Sequence, residues 1–296
     1  MFKLHGIYAP IPTPFKDNKI ALDELAGNME FWLASQLEGI VVMGSNGEFI
    51  MLSPEEKCQL ITAVCTQAKG KKPVVVGTGC ESTQETIEFN HFAAGAGADA
   101  ALVLSPNYFK KAMNDAVLKK FYLEVAEASP IPIILYNMPG NSGINLSAQL
   151  VSQLAAHPNI IGIKDSGGNI VQIAEIIHST PDDFAVFAGS ASFLFASLAL
   201  GAAGGTLALA NVFPNECALL QELVNESKFA EAKELQLNLI EANNAVTTRW
   251  GVGGLKAALE LIGLYGGEPR KPLVPLGDED RELLAAIIKH TQEVCR

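Results

Sequence analysis

Metal-binding and redox clusters are missing from this chain of 296 residues. Its five cysteines (Cys58, Cys65, Cys80, Cys217, Cys295) are odd in number and scattered, without a CxxC pair. That pattern argues against a disulfide framework or a structural zinc site and fits a reducing compartment such as the cytoplasm. The five histidines (His5, His91, His157, His178, His290) show neither HxH nor HExxH spacing, so no metal cofactor is expected. No GxGxxG or Walker sequence follows the first apolar run, which disfavours nucleotide binding, and no GxSxG elbow supports a serine nucleophile. Charge is scarce, at 18% of residues against 49% hydrophobic. What charge there is sums to −11, which repels phosphate backbones and anionic bilayers and argues against nucleic acid or membrane partners. A carboxylate ligand would therefore have to be held by local dipoles or a local cation.

The N-terminal Met1-Phe2-Lys3-Leu4-His5-Gly6 has no apolar run suited to a signal peptide. Phe184 to Asn215 carries no charged residue, as a membrane helix would. Five interrupting residues (Gly189, Gly201, Gly204, Gly205, Pro214) and acidic flanks instead predict a buried strand, helix and strand.

What is present is a repeat of short runs rich in Val, Ile and Leu: Gly6–Ala9, Gly39–Met43, Val74–Gly77, Ala100–Leu104, Ile131–Tyr136, Ile160–Lys164, Phe184–Ala188 and Gly205–Leu209. The intervals match a βα unit, and helix-period segments such as Pro54–Ala68 and Asp115–Ala128 fill them. Ser53-Pro54-Glu55-Glu56 supplies a cap, a first-turn proline and acids suited to the helix dipole. Eight repeats predict an α/β fold of the (β/α)8 TIM-barrel type over residues 1–226. The surplus helical segments over 227–296 predict a C-terminal helical extension packed on the barrel.

Functional groups of such a barrel lie at the C-terminal ends of its strands. There stand Gly44-Ser45-Asn46-Gly47-Glu48, Tyr136-Asn137-Met138-Pro139 and Lys164-Asp165-Ser166-Gly167-Gly168, with Gly189-Ser190 after the seventh strand. Lys164 is anomalous, because it ends a strand expected to be buried on both faces. Strand alternation groups Gly162, Lys164 and Ser166 on one face and Ile161, Ile163 and Asp165 on the other, with Gly162 leaving space beneath the lysine. Desolvation favours the neutral amine that attack on a carbonyl requires. A buried lysine paired with a carboxylate, or one snorkelling to solvent, explains the sequence equally well at this point. Tyr136 ends the neighbouring strand and suits a proton relay or an ordinary core position. The Gly44–Gly47 turn suits an anion nest, with Ser45 and Asn46 adding donors, or a plain loop.

Taken together, GSNGE at 44–48, YNMP at 136–139 and IIGIKDSGG at 160–168 resemble the family that includes dihydrodipicolinate synthase, N-acetylneuraminate lyase and 4-hydroxy-2-oxoglutarate aldolase. The resemblance covers nearly the whole chain. It implies a class I lyase in which Lys164 forms a Schiff base with pyruvate, without metal or other cofactor, and Tyr136 relays protons. It further implies that Ser45 bonds the relay tyrosine and, with Asn46 and Gly47, holds the keto-acid carboxylate. Tyr108 matches a tyrosine that reaches a neighbouring subunit's site, and a homotetramer built as a dimer of dimers is implied. Where the synthase branch carries an arginine for its second substrate, this chain has Asn141. An amide cannot supply arginine's bidentate clamp. GSNGEF at 44–49, KDSGG at 164–168 and AGSASFLFASLALGAAGG at 188–205 look closer to 4-hydroxy-2-oxoglutarate and related 2-keto-3-deoxy sugar-acid aldolases, with Ser166 and Gly189 on the second-substrate side. The alternatives are condensation of pyruvate with aspartate semialdehyde, or a catalytically silent keto-acid-binding regulator.

Overall fold

Val- and Ile-rich segments buried on both faces form the strands, as parallel sheets require. The computed structural model describes residues 2–295. Strand β1 (Gly6–Pro10) is followed by an antiparallel ribbon of β2 (Phe15–Lys16) and β3 (Lys19–Ile20). The chain continues through β4 (Gly39–Val42), β5 (Val74–Gly77), β6 (Ala100–Leu104), β7 (Ile133–Asn137), β8 (Ile160–Asp165), β9 (Ala185–Ala188) and β10 (Gly204–Thr206). Apart from the ribbon, each strand pairs in parallel with its neighbours in sequence, and β1 pairs with both β4 and β10. The eight predicted strand segments thus form a closed barrel, and the predicted fold class is the observed one.

The covering helices are α1 (Leu22–Ala34), α2 (Pro54–Ala68), α3 (Thr83–Ala96), α4 (Asp115–Ala128), α5 (Pro139–Ser142), α6 (Ala148–Leu154), α7 (Ile170–Ser179), α8 (Leu194–Ala199) and α9 (Pro214–Asn225). They are followed by α10 (Phe229–Asn244), α11 (Gly251–Leu261) and α12 (Asp278–Val294), with a π-helical turn at Ala245–Arg249. The charge-free stretch is β9, α8 and β10 with their loops. Among the described residues no helix is long and apolar enough to cross a membrane.

Alternation along the strands sorts their side chains. Tyr8, Val41, Val75, Leu102, Ile134, Tyr136 and Phe187 fill the barrel interior, whereas Val103, Leu135 and Ile163 face the helices. The expected alternation in β8 fails at one residue. Ile133 pairs with Ile160 but Ile134 pairs with Gly162, so Ile161 is an extra, bulged residue. It packs against the interior cluster rather than beside Ile163. Nor is there room beneath the lysine at Gly162: a Cβ there would lie 2.4 Å from the Ala185 carbonyl oxygen. The glycine permits close approach of β9.

The C-terminal helices are tied back to the barrel by charge as well as by apolar contact. Arg270, in the connector before α12, forms a fork with Glu56: Nη1 donates to Oε2 and Nη2 to Oε1, both at 2.7 Å. Glu56 also closes the predicted cap of α2, accepting from the Ser53 N–H at 2.9 Å. The Arg270 guanidinium holds the Glu56 carboxyl below the usual glutamate range. A group depressed in the folded chain contributes stability above its unfolded value of about 4.3 and loses it as pH falls below that. The stability advantage of the chain over Glu56→Gln, measured by urea unfolding, should therefore be constant near neutrality and shrink as pH falls below about 4.3. An advantage independent of pH would contradict this role.

Candidate active site

The ends of β4, β7, β8 and β9 converge at one mouth of the barrel. Lys164 and Tyr136 are directly paired across β7 and β8. Both are buried, at 5% and 4% exposure, and the lysine Nζ lies 4.3 Å from the centroid of the tyrosine ring. Below it the interior is apolar, lined by Val41, Val75, Leu102, Ile134 and Phe187, with Tyr8 and Thr206. Among the described residues no carboxylate pairs with Lys164. Its neighbour Asp165 points to the opposite side, where it accepts from Asn137 Nδ2 at 2.7 Å, the Gly167 N–H at 2.8 Å and Gln172 Nε2 at 3.2 Å. Of the three readings open from the sequence, pairing with a carboxylate and snorkelling to solvent both disagree with this geometry.

The β4 end turns sharply into the site. Met43 has φ +60° and Glu48 φ +54°, bracketing a 3-10 turn at Ser45–Gly47. The approach of Met43 depends on Gly77 in β5, where a Cβ would lie 2.1 Å from the Met43 carbonyl oxygen. Ser45 Oγ is 3.2 Å from the Tyr136 hydroxyl. Asn46 is half-buried beside it, with Nδ2 at 3.4 Å from the Pro10 carbonyl oxygen. Gly47 offers less than expected, because its N–H donates to Gly44 O at 3.0 Å and its carbonyl accepts from Thr13 Oγ1 at 2.7 Å. The Gly47 N–H and carbonyl are thus both engaged within the protein.

On the β8–β9 side, Ser166 is fixed by its N–H bond to Asn137 O at 2.8 Å. A Cβ on Gly189 would fall 1.9 Å from Ser166 Oγ, so these two residues touch and only glycine leaves that hydroxyl in place. The Gly189 N–H donates to Asp165 O at 2.7 Å.

Tyr108 and Asn141, unlike this group, are exposed. Tyr108 is 78% exposed, edge-on to Phe109, with its backbone N–H held by Glu81 at 2.9 Å. Asn141 is exposed on the short α5. Close by, Lys110 packs against Gly143, where an added Cβ would come within 2.9 Å of its Nζ.

Sequence reasoning did not assign the residues that hold the site from behind. Asn137, Asp165 and Gln172 form one such group. Their signal was the presence of two consecutive polar residues, Asn137 after Tyr136 and Asp165 after Lys164, in strands otherwise apolar.

The comparisons agree with this geometry. The family model described as the dihydrodipicolinate synthetase family matches residues 3–291. A 4-hydroxy-tetrahydrodipicolinate synthase of Geotalea uraniireducens is 37% identical, the match covering 98% of each chain. A probable mitochondrial 4-hydroxy-2-oxoglutarate aldolase of Emericella nidulans is 35% identical over 98% of this chain and 96% of its own. Among solved structures, YagE, a prophage protein of E. coli K12 in complex with pyruvate, superposes with a TM-score of 0.92 at 28% identity, covering 97% of this chain and 98% of that one. A family match spanning nearly the full length, on a closed barrel with C-terminal helices, means that this chain belongs to the dihydrodipicolinate synthetase family of class I aldolases.

Proposed function

We propose that this lyase forms an imine between Lys164 and a 2-keto acid of the pyruvate type, and makes or breaks a carbon–carbon bond to that acid. The observation that carries the reading is a buried lysine with no carboxylate partner among the described residues, its nitrogen over the ring of a tyrosine whose hydroxyl meets Ser45. The amine adds to the keto carbon to give a carbinolamine, which loses water to become an iminium. In the cleavage direction the C3–C4 bond breaks, its electron pair flows into the iminium as an enamine, and the C4 hydroxyl proton leaves as the aldehyde forms. Tyr136 takes that proton as general base and returns it in the condensation direction. Protonation of the enamine and addition of water then release pyruvate. The reading requires no metal or other cofactor, because the imine nitrogen supplies the electron sink.

Ser45 and Asn46 receive the keto-acid carboxylate, while Ser166 and the Gly189 wall face the second substrate. That YagE was solved with pyruvate supports the choice of keto acid. Tyr108, exposed beside Phe109, is assigned to a neighbouring subunit's site in a homotetramer built as a dimer of dimers. For the second substrate, 4-hydroxy-2-oxoglutarate or a 2-keto-3-deoxy sugar acid is favoured by Asn141, which lacks the cationic fork that would grip aspartate semialdehyde. One observation favours the synthase reading instead. Lys110 stands against Gly143, two residues along the chain from Asn141, and offers a point charge without the fork. Assaying 4-hydroxy-2-oxoglutarate cleavage beside condensation of pyruvate with aspartate semialdehyde decides between them. Cleavage as the faster reaction is expected, and condensation with no cleavage would overturn the assignment.

A further inference from the structure

Glu48 carries more constraint than a residue at the edge of a site needs. Its backbone is left-handed, at φ +54° and ψ 33°, a conformation that side chains with a Cβ adopt only when their surroundings impose it. Its carboxylate is buried with the Lys256 ammonium, each side chain 1% exposed, at an Oε1–Nζ distance of 2.6 Å. The contact is a charge pair rather than an aligned hydrogen bond. The other oxygen, Oε2, accepts from the Arg270 N–H at 2.7 Å. Lys256 belongs to α11 and Arg270 to the connector before α12, so both partners come from the C-terminal helical part.

On the site side, the Glu48 N–H donates to Ser45 O at 3.1 Å and closes the turn that presents Ser45 to Tyr136. An unbroken series of contacts therefore runs from Lys256 and Arg270 through Glu48 and Ser45 to Tyr136 and Lys164.

A buried ion pair is a weak way to fasten two parts of a protein. Desolvating both charges offsets most of their attraction, and a well-packed apolar pair holds as firmly. What the pair adds is direction, because a carboxylate gripped at both oxygens fixes the rotation of the residue that bears it. The Lys256 nitrogen is itself aimed, donating to Glu268 O at 3.1 Å and lying 4.5 Å from the Phe15 ring centroid.

We infer that Glu48 is a positioning residue for keto-acid binding, held by Lys256 and Arg270 so that the Ser45–Asn46 turn keeps the shape that receives the carboxylate. The inference rests on the imine reading above. It makes the C-terminal helical part a component of the active site.

The test uses the whole chain with pyruvate as probe, in Lys256→Met and in the double variant Glu48→Gln/Lys256→Met. The single variant strands a buried carboxylate and should lose thermal stability. The double variant removes both charges and should recover most of that stability. In both, the pyruvate concentration giving half-maximal borohydride-trapped imine should rise about tenfold or more, because the turn is no longer aimed. Trapping at saturating pyruvate should still reach the extent of the unmutated chain. A purely structural pair would make half-saturation follow the unfolding temperature. Recovery of the unmutated half-saturation in the folded double variant would therefore overturn the inference. Failure of the unmutated chain to be trapped at all would overturn the imine reading and this inference with it.

Discussion

Lys164→Met should leave a folded protein with no measurable imine and with kcat/KM lower by about 10^4-fold or more, the scale on which removal of a covalent nucleophile acts. Methionine matches the apolar stem of the lysine, with sulfur in place of one methylene, and lacks the amine. Lys164 has no carboxylate to strand among the described residues, and its surroundings of Val41, Val75, Leu102 and Phe187 suit a thioether. The unfolding midpoint should therefore not fall. Activity and stability should separate, and steady-state kinetics beside thermal unfolding measures both. A variant retaining even a hundredth of the original kcat/KM would show that the chemistry runs elsewhere.

Tyr136→Phe should act on a different step. The ring that lies under the Lys164 nitrogen remains, so pyruvate should still be trapped as an imine. The hydroxyl that meets Ser45 at 3.2 Å is gone, and with it the proton relay. Turnover should fall by about 10^2- to 10^4-fold, the range for a general acid–base group. Single-turnover cleavage, followed separately from imine formation, distinguishes the two steps. Equal loss of trapping and of cleavage would mean that the tyrosine serves only to build the site.

The barrel was legible because eight Val- and Ile-rich runs, spaced as βα units, can be buried on both faces in few other ways. Single turns were legible where one residue carries the reason, as with Ser53 and Glu56 at the start of α2. The ribbon of β2 and β3 was not, since two-residue strands leave no periodicity to detect. The bulge at Ile161 was equally hidden: Ile160, Ile161 and Ile163 are chemically alike, and only pairing with β7 shows which one is extra.

Within the site, Lys164 and Tyr136 come together because their strands are neighbours and parallel pairing aligns the ends, whereas Ser45, after β4, meets the Tyr136 hydroxyl from further round the barrel mouth, with β5 and β6 between. The N–H groups of Gly47 and Gly189 are engaged by Gly44 O and Asp165 O, contacts that only the folded chain reveals. The pairing of Glu48 with Lys256 joins segments far apart in sequence, and nothing local to either residue predicts it. A sequence read strand by strand locates the reacting groups more readily than the supports that aim them.

The central claim is that Lys164 carries the substrate as an imine. Incubating the chain with pyruvate, reducing with borohydride and mapping the peptides by mass tests it directly. The expected result is one reduced pyruvyl adduct, located on the peptide containing Lys164 and absent without pyruvate. An unmodified Lys164 peptide, or an adduct carried by another lysine, would contradict the account.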